Sequence, residues 1–397
     1  MNTNNEHFNF SNSIPVAPLK IIAMESIKDL GAKIDSTIRQ IRTERENSNK
    51  TNLHFNGYLP ETFLVKSCCP RFGSGEAKGI ISESIRGTDL FIMTDVCNYG
   101  LTYTVSGFTN HMSPDDHFQD LKRIISATNK HAHRITVIMP FLYESRQHKR
   151  TKLESLDCAL ALEELVDMGV SNIITFDAHD PRISNSIPLY EFENFQPPFQ
   201  FIKAITDDIP DLKIDKDSLM IISPDEGAMS RAVYFANVLG VDMGMFYKRR
   251  DYSTIINGKN PIVAHEFLGT ELKGKDVIIV DDMISSGESM LDTAKELKQR
   301  GAARVFICTT FGLFTDGLDK FDEYFAKEYI TRVIVTNLNY TRPEVDDRSY
   351  ILKADMTRYL STIIDTFNHD ISTKKVVDPT LRIRDLVEEY NKRGLNV

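Results

Sequence analysis

The feature that most constrains the fold is a stretch in the C-terminal half, DVIIVDDMISSGES, which runs from Asp276 to Ser289. Its first part, Val277 to Val280, is short, β-branched and bounded by charged residues, a pattern typical of a buried parallel strand. The amphipathic segment 290–300 is followed by Gly301, which predicts a helix that ends there. The residues in between are therefore expected to form a turn from a strand into a helix N-terminus.

Such a turn has the chemistry of a sugar-phosphate site. Backbone N–H groups at a helix N-terminus favour a phosphate, and here they belong to a turn that contains Ser285, Ser286, Gly287 and Ser289. Asp281 and Asp282 are expected at the carboxyl end of the strand, where open α/β sheets bind ligands. Two adjacent carboxylates can accept hydrogen bonds from a vicinal diol or hold Mg²⁺ through its waters. The alternative is an ordinary Rossmann-like turn with solvated acids as caps.

Composition limits the other classes of function. A chain of 397 residues with 41% hydrophobic residues can build two or three domains. Its net charge of −9 gives no global basic surface for nucleic acid, so an anion site must be local. The five cysteines have no zinc or redox spacing. No apolar stretch approaches the roughly 20 residues that span a bilayer. We therefore expect a cytoplasmic protein with neither nucleic-acid nor membrane partners.

The order of elements favours parallel, doubly wound sheets. A helix is expected over 19–45 and a polar linker over 43–56, and strands then alternate with helices. The predicted strands are 63–68, 79–85, 90–95, 135–140, 172–177, 219–223, 277–280, 305–309 and 332–336. The predicted helices are 117–132, 156–168, one from 201 onward, 227–239, 290–300, 318–326, 354–367 and 381–393. Two similar runs, 134–141 and 304–311, suggest two related halves.

The run Val280 to Ile284, with the turn after it, resembles the phosphoribosyl diphosphate (PRPP) loop of PRPP synthetases and type I phosphoribosyltransferases. Five further segments follow the order of functional stretches in a PRPP synthetase, and together they cover most of the chain from Phe63 to Phe367. These segments are RFGSGE (71–76), PFLYESRQHKR (140–150), FDAHD (176–180), ISPDEGA (222–228) and KRRDY (248–252). The chain is thereby identified as a divergent member of the ribose-phosphate diphosphokinase family.

The resemblance implies an α/β fold of two type I phosphoribosyltransferase-like domains, each with a mainly parallel sheet flanked by helices. The expected boundaries are an N-terminal extension 1–56, a domain 57–198 completed by the helix near 354–368, a domain 199–353 with the PRPP loop, and a tail 372–397. The active site would lie between the domains and be completed by a neighbouring subunit, which implies a homo-oligomer based on dimers or a hexamer. The implied reaction is ATP + ribose 5-phosphate → PRPP + AMP, with Mg²⁺.

The resemblance also assigns roles to the nucleotide-binding residues. Phe72 would stack on the adenine and Glu76 would accept from its amine, in the site of a neighbouring subunit. A Gly-rich hairpin turn with Phe72 in the core is the alternative. Arg146 and Gln147 would contact ATP, with His148 as a companion, because guanidinium forks suit phosphate oxygens. An ordinary solvated basic loop is the alternative there.

For the metal and the sugar, His179 matches the family's metal-binding histidine and Asp225 matches an acid at the ribose 5-phosphate and Mg²⁺ centre. The PRPP loop would hold the 5′-phosphate through its serines and Gly287, and Asp281 and Asp282 would hold the ribose hydroxyls. For His179 and Asp225 the alternatives are a structural histidine and a helix cap.

Lys248 and Arg250 alternate on an extended segment and would point the same way. By resemblance they stabilise the transition state from a mobile loop that closes over the site. The alternative is that they belong to an exposed basic tripeptide without a function of this kind.

The sequence departs from the family at Ser74 and Ser285, where an Asp is usual, and at Glu288, which occupies a small, neutral position. Two rival functions follow. A phosphoribosyltransferase would need the PRPP loop but not Arg146-Gln147, His179 and Lys248 in this order. A non-catalytic regulatory relative would explain the departures but not the retained His179, Lys248 and Arg250.

Overall fold

The computed structural model describes residues 13–47, 57–250 and 262–394, without the side chains of 248–250, 262–265, 375, 393 and 394. Two compact units are present. Unit 1 comprises the chain up to Gln196 together with Asn337–Tyr340 and Asp355–Asp378. Unit 2 comprises Pro197–Thr336, Thr341–Ala354 and the chain from Pro379 onward.

The strands and helices are numbered along the chain. The strands are β1 (Leu19–Ala23), β2 (Ser67–Cys68), β3 (Ile80–Ile81), β4 (Asp89–Met93), β5 (Thr102–Val105), β6 (Phe108–His111), β7 (Arg134–Ile138), β8 (Asn172–Phe176), β9 (Glu191–Phe195), β10 (Leu219–Ser223), β11 (Asp242–Arg250), β12 (Ile262–Leu268), β13 (Asp276–Ile284), β14 (Val305–Gly312), β15 (Arg332–Thr336) and β16 (Ile351–Ala354). The helices are α1 (Lys28–Asn47), α2 (Pro114–Ala127), α3 (Asp157–Asp167), α4 (Pro198–Asp208), α5 (Met229–Leu239), α6 (Glu288–Gln299), α7 (Asp319–Ala326), α8 (Thr357–Asn368), α9 (Lys374–Val377) and α10 (Thr380–Gly394).

The sheet of unit 1 has the order β1-β4-β7-β8-β9, and all of its pairings are parallel. Its strands β4 and β8 are buried at every residue, as expected of parallel strands covered on both faces. Helices α1 and α8 pack against each other through a buried ion pair. Arg42 Nε donates to Asp365 Oδ1 at 2.9 Å, and Arg42 Nη2 donates to Asn368 Oδ1 at 2.7 Å. A late segment of the chain thus completes the first unit.

The sheet of unit 2 has the order β12-β11-β10-β13-β14-β15-β16 and is parallel except for β12. Two apolar clusters cover its faces. One contains Leu291 of α6 and Phe321 of α7, and the other contains Phe201 of α4, Phe235 of α5 and Ile383 of α10. Helix α10 is held further by Tyr390, whose hydroxyl donates to Ile209 O at 2.5 Å. The predicted two-domain α/β fold with parallel sheets is confirmed.

Each unit carries the same ion pair at the start of two neighbouring strands. In unit 1, Arg134 Nη2 lies 2.8 Å from Asp89 Oδ2. In unit 2, Arg304 Nη2 lies 2.7 Å from Asp276 Oδ2. The two similar runs in the sequence therefore begin at equivalent positions of the two sheets.

Several predicted elements were wrong. Residues 19–23 form a strand rather than the start of a helix, because this apolar run pairs with β4 and short apolar runs do not distinguish the two structures. Helix α1 continues through Gly31, where a Cβ would lie 2.2 Å from Ala23 Cβ, so this glycine allows the helix to pack closely on β1. The predicted strands 63–68 and 79–85 are much shorter in the structure, where β2 and β3 have two residues each and pair with each other. Of the predicted linker, residues 43–47 are helical and 48–56 lie outside the described residues.

Among the described helices, none combines the length and the apolar character needed to cross a membrane.

Candidate active site

The PRPP-like loop lies between β13 and α6 of unit 2. Strand β13 continues through Asp281 and Asp282 to Ile284, because it pairs with β14 as far as Gly312. Helix α6 begins at Glu288. The predicted strand end at 280 and helix start at 290 were therefore wrong, and the turn itself is only Ser285 to Gly287. Asp281 and Asp282 project from the last part of the strand, and Ser289 belongs to the first turn of the helix.

Gly287 fixes the shape of this turn. Its φ is +85°, in the left-handed region that favours glycine, and a Cβ would lie 2.3 Å from Phe321 Cζ. The connection after β14 supports the turn from the side, since Thr315 N donates to Ser285 O at 2.9 Å. At the start of α6, Glu288 N donates to Ser286 Oγ at 3.4 Å. N–H groups at the start of a helix favour an anion, so this turn stays the candidate phosphate site.

Asp281 is a carboxylate in an unfavourable environment. Burial raises its pKa well above the usual range, and the negative charge of Asp282 raises it further. Arg231 of α5 acts in the opposite direction, with Nη1 at 3.5 Å from Asp281 Oδ1. The backbone N–H of Asp282 donates to the same oxygen at 2.9 Å. Arg231 was not singled out from the sequence, because the face that α5 presents to β13 could not be assigned.

Asp225 follows β10 and also belongs to this cluster, since its charge contributes to the raised pKa of Asp281. The capping alternative is observed as well. Asp225 Oδ1 accepts from Gly227 N at 2.9 Å and from Ala228 N at 3.3 Å, just before α5. Both of these bonds use the same oxygen.

Glu288, the unusual acid of the loop, is exposed and accepts a hydrogen bond from Lys320 Nζ of α7 at 2.6 Å. Its charge is therefore paired with a cation on the neighbouring helix.

Lys248 and Arg250 lie two residues apart near the end of β11, opposite β12. Their side chains are outside the described residues, as are residues 251–261, which include the predicted closing loop.

In unit 1 the segment 140–150 follows β7, and its three candidate residues have different surroundings. Arg146 is exposed. Gln147 Nε2 donates to Ser155 O at 2.8 Å. His148 Nε2 lies 3.2 Å from Asp180 Oδ2, and the ring of His148 is 5.7 Å from that of His179. The structure thereby brings His148 of the predicted ATP site close to His179 of the predicted metal site, 31 residues further along the chain.

The turn after β8 orients His179. Asp177 has a φ of +43°, a strained conformation for a non-glycine residue, and its N–H donates to Phe195 O at 2.8 Å. His179 is exposed, whereas Asp180 is buried and accepts from Arg182 N at 2.9 Å. Bonds from Arg182 hold the pKa of Asp180 below its usual range. The contact of Asp180 with His148 was not predicted from the sequence. It arises because β7 and β8 are adjacent and parallel, so the segments that follow them leave the same edge of the sheet.

The turn at 71–76 is a hairpin on the surface of unit 1. Phe72 N donates to Glu76 O at 2.7 Å, and Ser74 Oγ donates to Glu76 Oε2 at 2.9 Å. The side chain of Phe72 is 51% exposed, so the alternative with Phe72 in the core is wrong. An aromatic ring and a carboxylate are therefore both open to a ligand.

The two candidate metal residues lie in different units, His179 in unit 1 and Asp225 in unit 2. Over the part of the chain that the structure describes, no group of three or more His, Cys, Asp or Glu side chains is placed to hold a metal ion. The carboxylates of Asp225, Asp281 and Asp282 are hard oxygen donors, the kind that Mg²⁺ prefers.

Two α/β units with parallel sheets, one of which carries a glycine-containing turn at a helix N-terminus two residues beyond paired aspartates, define a protein of the phosphoribosyltransferase structural class. Comparison with known proteins agrees. Residues 19–169 match the N-terminal domain of ribose phosphate pyrophosphokinase, and residues 197–347 match the phosphoribosyl transferase domain. The structure also resembles the phosphoribosylpyrophosphate synthetase of Mycobacterium smegmatis, with a TM-score of 0.65 and 21% identity over 89% of this chain and 99% of that one.

Sequence relatives give the more specific result. The ribose-phosphate pyrophosphokinase of Thermosipho africanus is 30% identical over 62% of this chain and 71% of its own length. That of Ralstonia nicotianae is 28% identical over 77% of this chain and 86% of its own length. The chain belongs to the ribose-phosphate pyrophosphokinase family.

Proposed function

We propose that this chain is an active ribose-phosphate pyrophosphokinase, which transfers the β,γ-diphosphate of Mg-ATP to the 1-hydroxyl of ribose 5-phosphate and releases AMP. The observation that carries the proposal is the turn Ser285 to Gly287, which lies at the N-terminus of α6 and is separated from Asp281 and Asp282 by only two residues. The relatives and their names support the same activity.

In this proposal unit 2 binds the sugar phosphate. The 5′-phosphate lies against the N–H groups of α6 and the hydroxyls of Ser285, Ser286 and Ser289. Asp281 and Asp282 accept hydrogen bonds from the vicinal ribose hydroxyls. Arg231 partly offsets the burial and the charge of Asp282 that raise the pKa of Asp281, and so favours the ionised form of this carboxylate.

Unit 1 binds the nucleotide. Arg146 meets the phosphate oxygens, and Gln147 and His148 shape the same surface through their contacts with Ser155 and Asp180. Phe72 stacks on the adenine and Glu76 accepts from its amine. Because these two residues are exposed in a single chain, we propose that they act in a homo-oligomer, on the nucleotide of a neighbouring subunit.

Magnesium enters as part of the Mg-ATP substrate, with His179 and Asp225 as its proposed protein contacts. When bound, it supplies positive charge to the diphosphate. Lys248 and Arg250 add charge to the same group as the bond to the α-phosphate breaks. Such transfers depend chiefly on in-line positioning and on electrostatic stabilisation.

The test is AMP release from Mg-ATP by the purified chain, with and without ribose 5-phosphate. We expect AMP only when the sugar is present, and a loss of about 10²-fold or more in kcat for Lys248→Ala, as typical of a charge-stabilising group. Sugar-independent AMP, or none from a protein that binds ribose 5-phosphate, would contradict the proposal. The second outcome would favour the non-catalytic relative, with Ser285 and Glu288 as the first positions to revert.

A further inference from the structure

The hairpin formed by β5 and β6 packs on the exposed turn 71–76. Ser106 N, at the end of the hairpin, donates to Gly73 O at 3.2 Å. On the other side of the turn, a Cβ on Gly75 would lie 2.9 Å from Val105 Cγ2. The backbone of the turn therefore rests directly on hairpin residues.

Tyr103 links the same turn to helix α2. Its ring lies 4.7 Å from Arg71 Cζ, in a cation–π contact, and Arg71 Nη2 donates to Asp120 Oδ2 of α2 at 3.0 Å. The hydroxyl of Tyr103 donates to Asp116 Oδ1 at 3.2 Å. Asp116 is itself fixed by the capping box that it forms with Ser113 at the start of α2. The first residue of the turn is thus tied to α2 both directly, through Asp120, and through the ring of Tyr103.

The hairpin contacts stabilise the conformation of the turn from outside. Residues 71–76 include two glycines and a Phe that is 51% exposed, so the turn is held by its own backbone bonds, such as Phe72 N to Glu76 O at 2.7 Å, together with the hairpin contacts. A recognition loop that is held in its bound conformation loses less entropy when the ligand binds. Tyr103 and Val105, the hairpin residues that contact the turn, are both half-buried.

We propose that the β5–β6 hairpin is a specificity element for the nucleobase, in which Tyr103 and Val105 are positioning residues that hold Phe72 and Glu76 in the geometry that adenine requires. The inference rests on the proposed function, because it takes Phe72 and Glu76 as the residues that contact the base.

The test measures binding rather than turnover, on the full chain in its solution assembly. Dissociation constants for Mg-ATP, Mg-GTP and ribose 5-phosphate are determined by calorimetry for the wild type and for Tyr103→Leu. We expect Mg-ATP binding to weaken about fivefold to tenfold, the size of one cation–π contact with its hydrogen bond, and the preference for ATP over GTP to fall. Binding of ribose 5-phosphate stays unchanged. Tyr103→Phe keeps the ring and has a smaller effect.

The matched control is Phe108→Ser, on the same hairpin. Phe108 is 75% exposed, and the variant leaves Mg-ATP binding unchanged. Val105→Ala serves as the second test variant if Tyr103→Leu does not fold, with a loss of about threefold expected for reduced packing. Unchanged ATP binding in the folded test variants overturns the inference, as does equal weakening of ATP, GTP and ribose 5-phosphate.

The proposed function fails separately, through the absence of sugar-dependent AMP from a wild-type protein that still binds ATP.

Discussion

At the scale of single residues, Arg231 has the clearest consequence for the proposed sugar site. It lies 3.5 Å from Asp281, whose pKa is raised by burial and by the neighbouring Asp282. In Arg231→Gln we expect the KM for ribose 5-phosphate to rise about tenfold, the loss of one charge-assisted contact, while the KM for ATP stays the same. Steady-state kinetics with each substrate varied in turn provides the measurement.

Arg300→Gln is the control for this substitution, because Arg300 forms a surface pair with Glu296 on α6 at 3.0 Å and has no role in the sugar site. Equal KM values for ribose 5-phosphate in Arg231→Gln and wild type would show that Arg231 does not support the carboxylate pair.

Asp95 makes the stability of unit 1 depend on pH. It is buried at the end of β4, accepts from Cys97 N at 2.9 Å, and has its pKa raised to about 7 by burial. Between the unfolded pKa, near 4, and the folded one, the folded chain holds a proton that the unfolded chain releases. Stability therefore falls as the pH rises through this window, by up to about 1.4 kcal/mol per pH unit, and levels off above pH 7.

Asp95→Asn removes this titration and keeps a neutral side chain. Urea unfolding of unit 1 between pH 4 and pH 8 measures the difference between the two proteins. We expect the wild type to lose stability relative to the variant as the pH rises. Parallel stability curves would exclude the assigned pKa of Asp95.

Much of the site was accessible from residue types and their order. Asp281, Asp282 and the serines of the turn were predicted from the strand, the paired acids and the helix that follow one another along the chain. Arg231, Lys320 and Phe321 were missed because they act across contacts between elements. Sequence spacing does not show which face of a helix meets which strand, so such partners become visible only with the fold.

At the scale of elements, the turn before α6 depends on Gly287. In Gly287→Ala, the left-handed backbone and the contact with Phe321 both oppose the native turn. We expect kcat/KM for ribose 5-phosphate to fall about tenfold to hundredfold, as for a strained position that is displaced. The measurement is substrate kinetics together with a thermal melt that reports folding.

Gly274→Ala separates strain from packing. Gly274 also has a positive φ, +79°, but a Cβ there meets no atom within 4 Å. This control shares the backbone strain with Gly287→Ala and leaves the site intact, so its kinetics should match the wild type. Similar losses in both variants would mean that the contact with Phe321 does not position the turn.

The elements that could be predicted were those with an uninterrupted local pattern. Strands β8, β10 and β15 are short apolar runs between polar turns, and they occur where expected. Strand β1 was predicted as a helix because its partner β4 is far along the chain. Whether a short apolar run forms a strand or a helix depends on such a pairing, which the local sequence does not show. The hairpin of β5 and β6 has mixed polarity and exposed residues, and its sequence therefore lacks a recognisable strand pattern.

At the scale of the whole molecule, unit 1 is closed by α8, which is supplied by the chain after most of unit 2. Asp365 of this helix is fully buried between Arg42 and Arg45 of α1, and their charges hold its pKa below the usual range. Removing one partner from a buried ion pair leaves an uncompensated charge. We expect Asp365→Asn to destabilise unit 1 by about 3–5 kcal/mol, measured by chemical unfolding.

Glu388→Gln is the matched control, because Glu388 pairs with Lys392 on the surface of α10 in unit 2. It should leave the unfolding of both units unchanged. A stability of Asp365→Asn equal to that of the wild type would mean that the buried pair does not hold α8 on unit 1.

The central claim is the transfer of an intact diphosphate to the sugar. ³¹P NMR of the products of Mg-ATP and ribose 5-phosphate tests it most directly. We expect a pair of coupled diphosphate signals on the sugar, in an amount equal to the AMP formed. ADP with a sugar bisphosphate, or AMP with free diphosphate and unchanged ribose 5-phosphate, would contradict it.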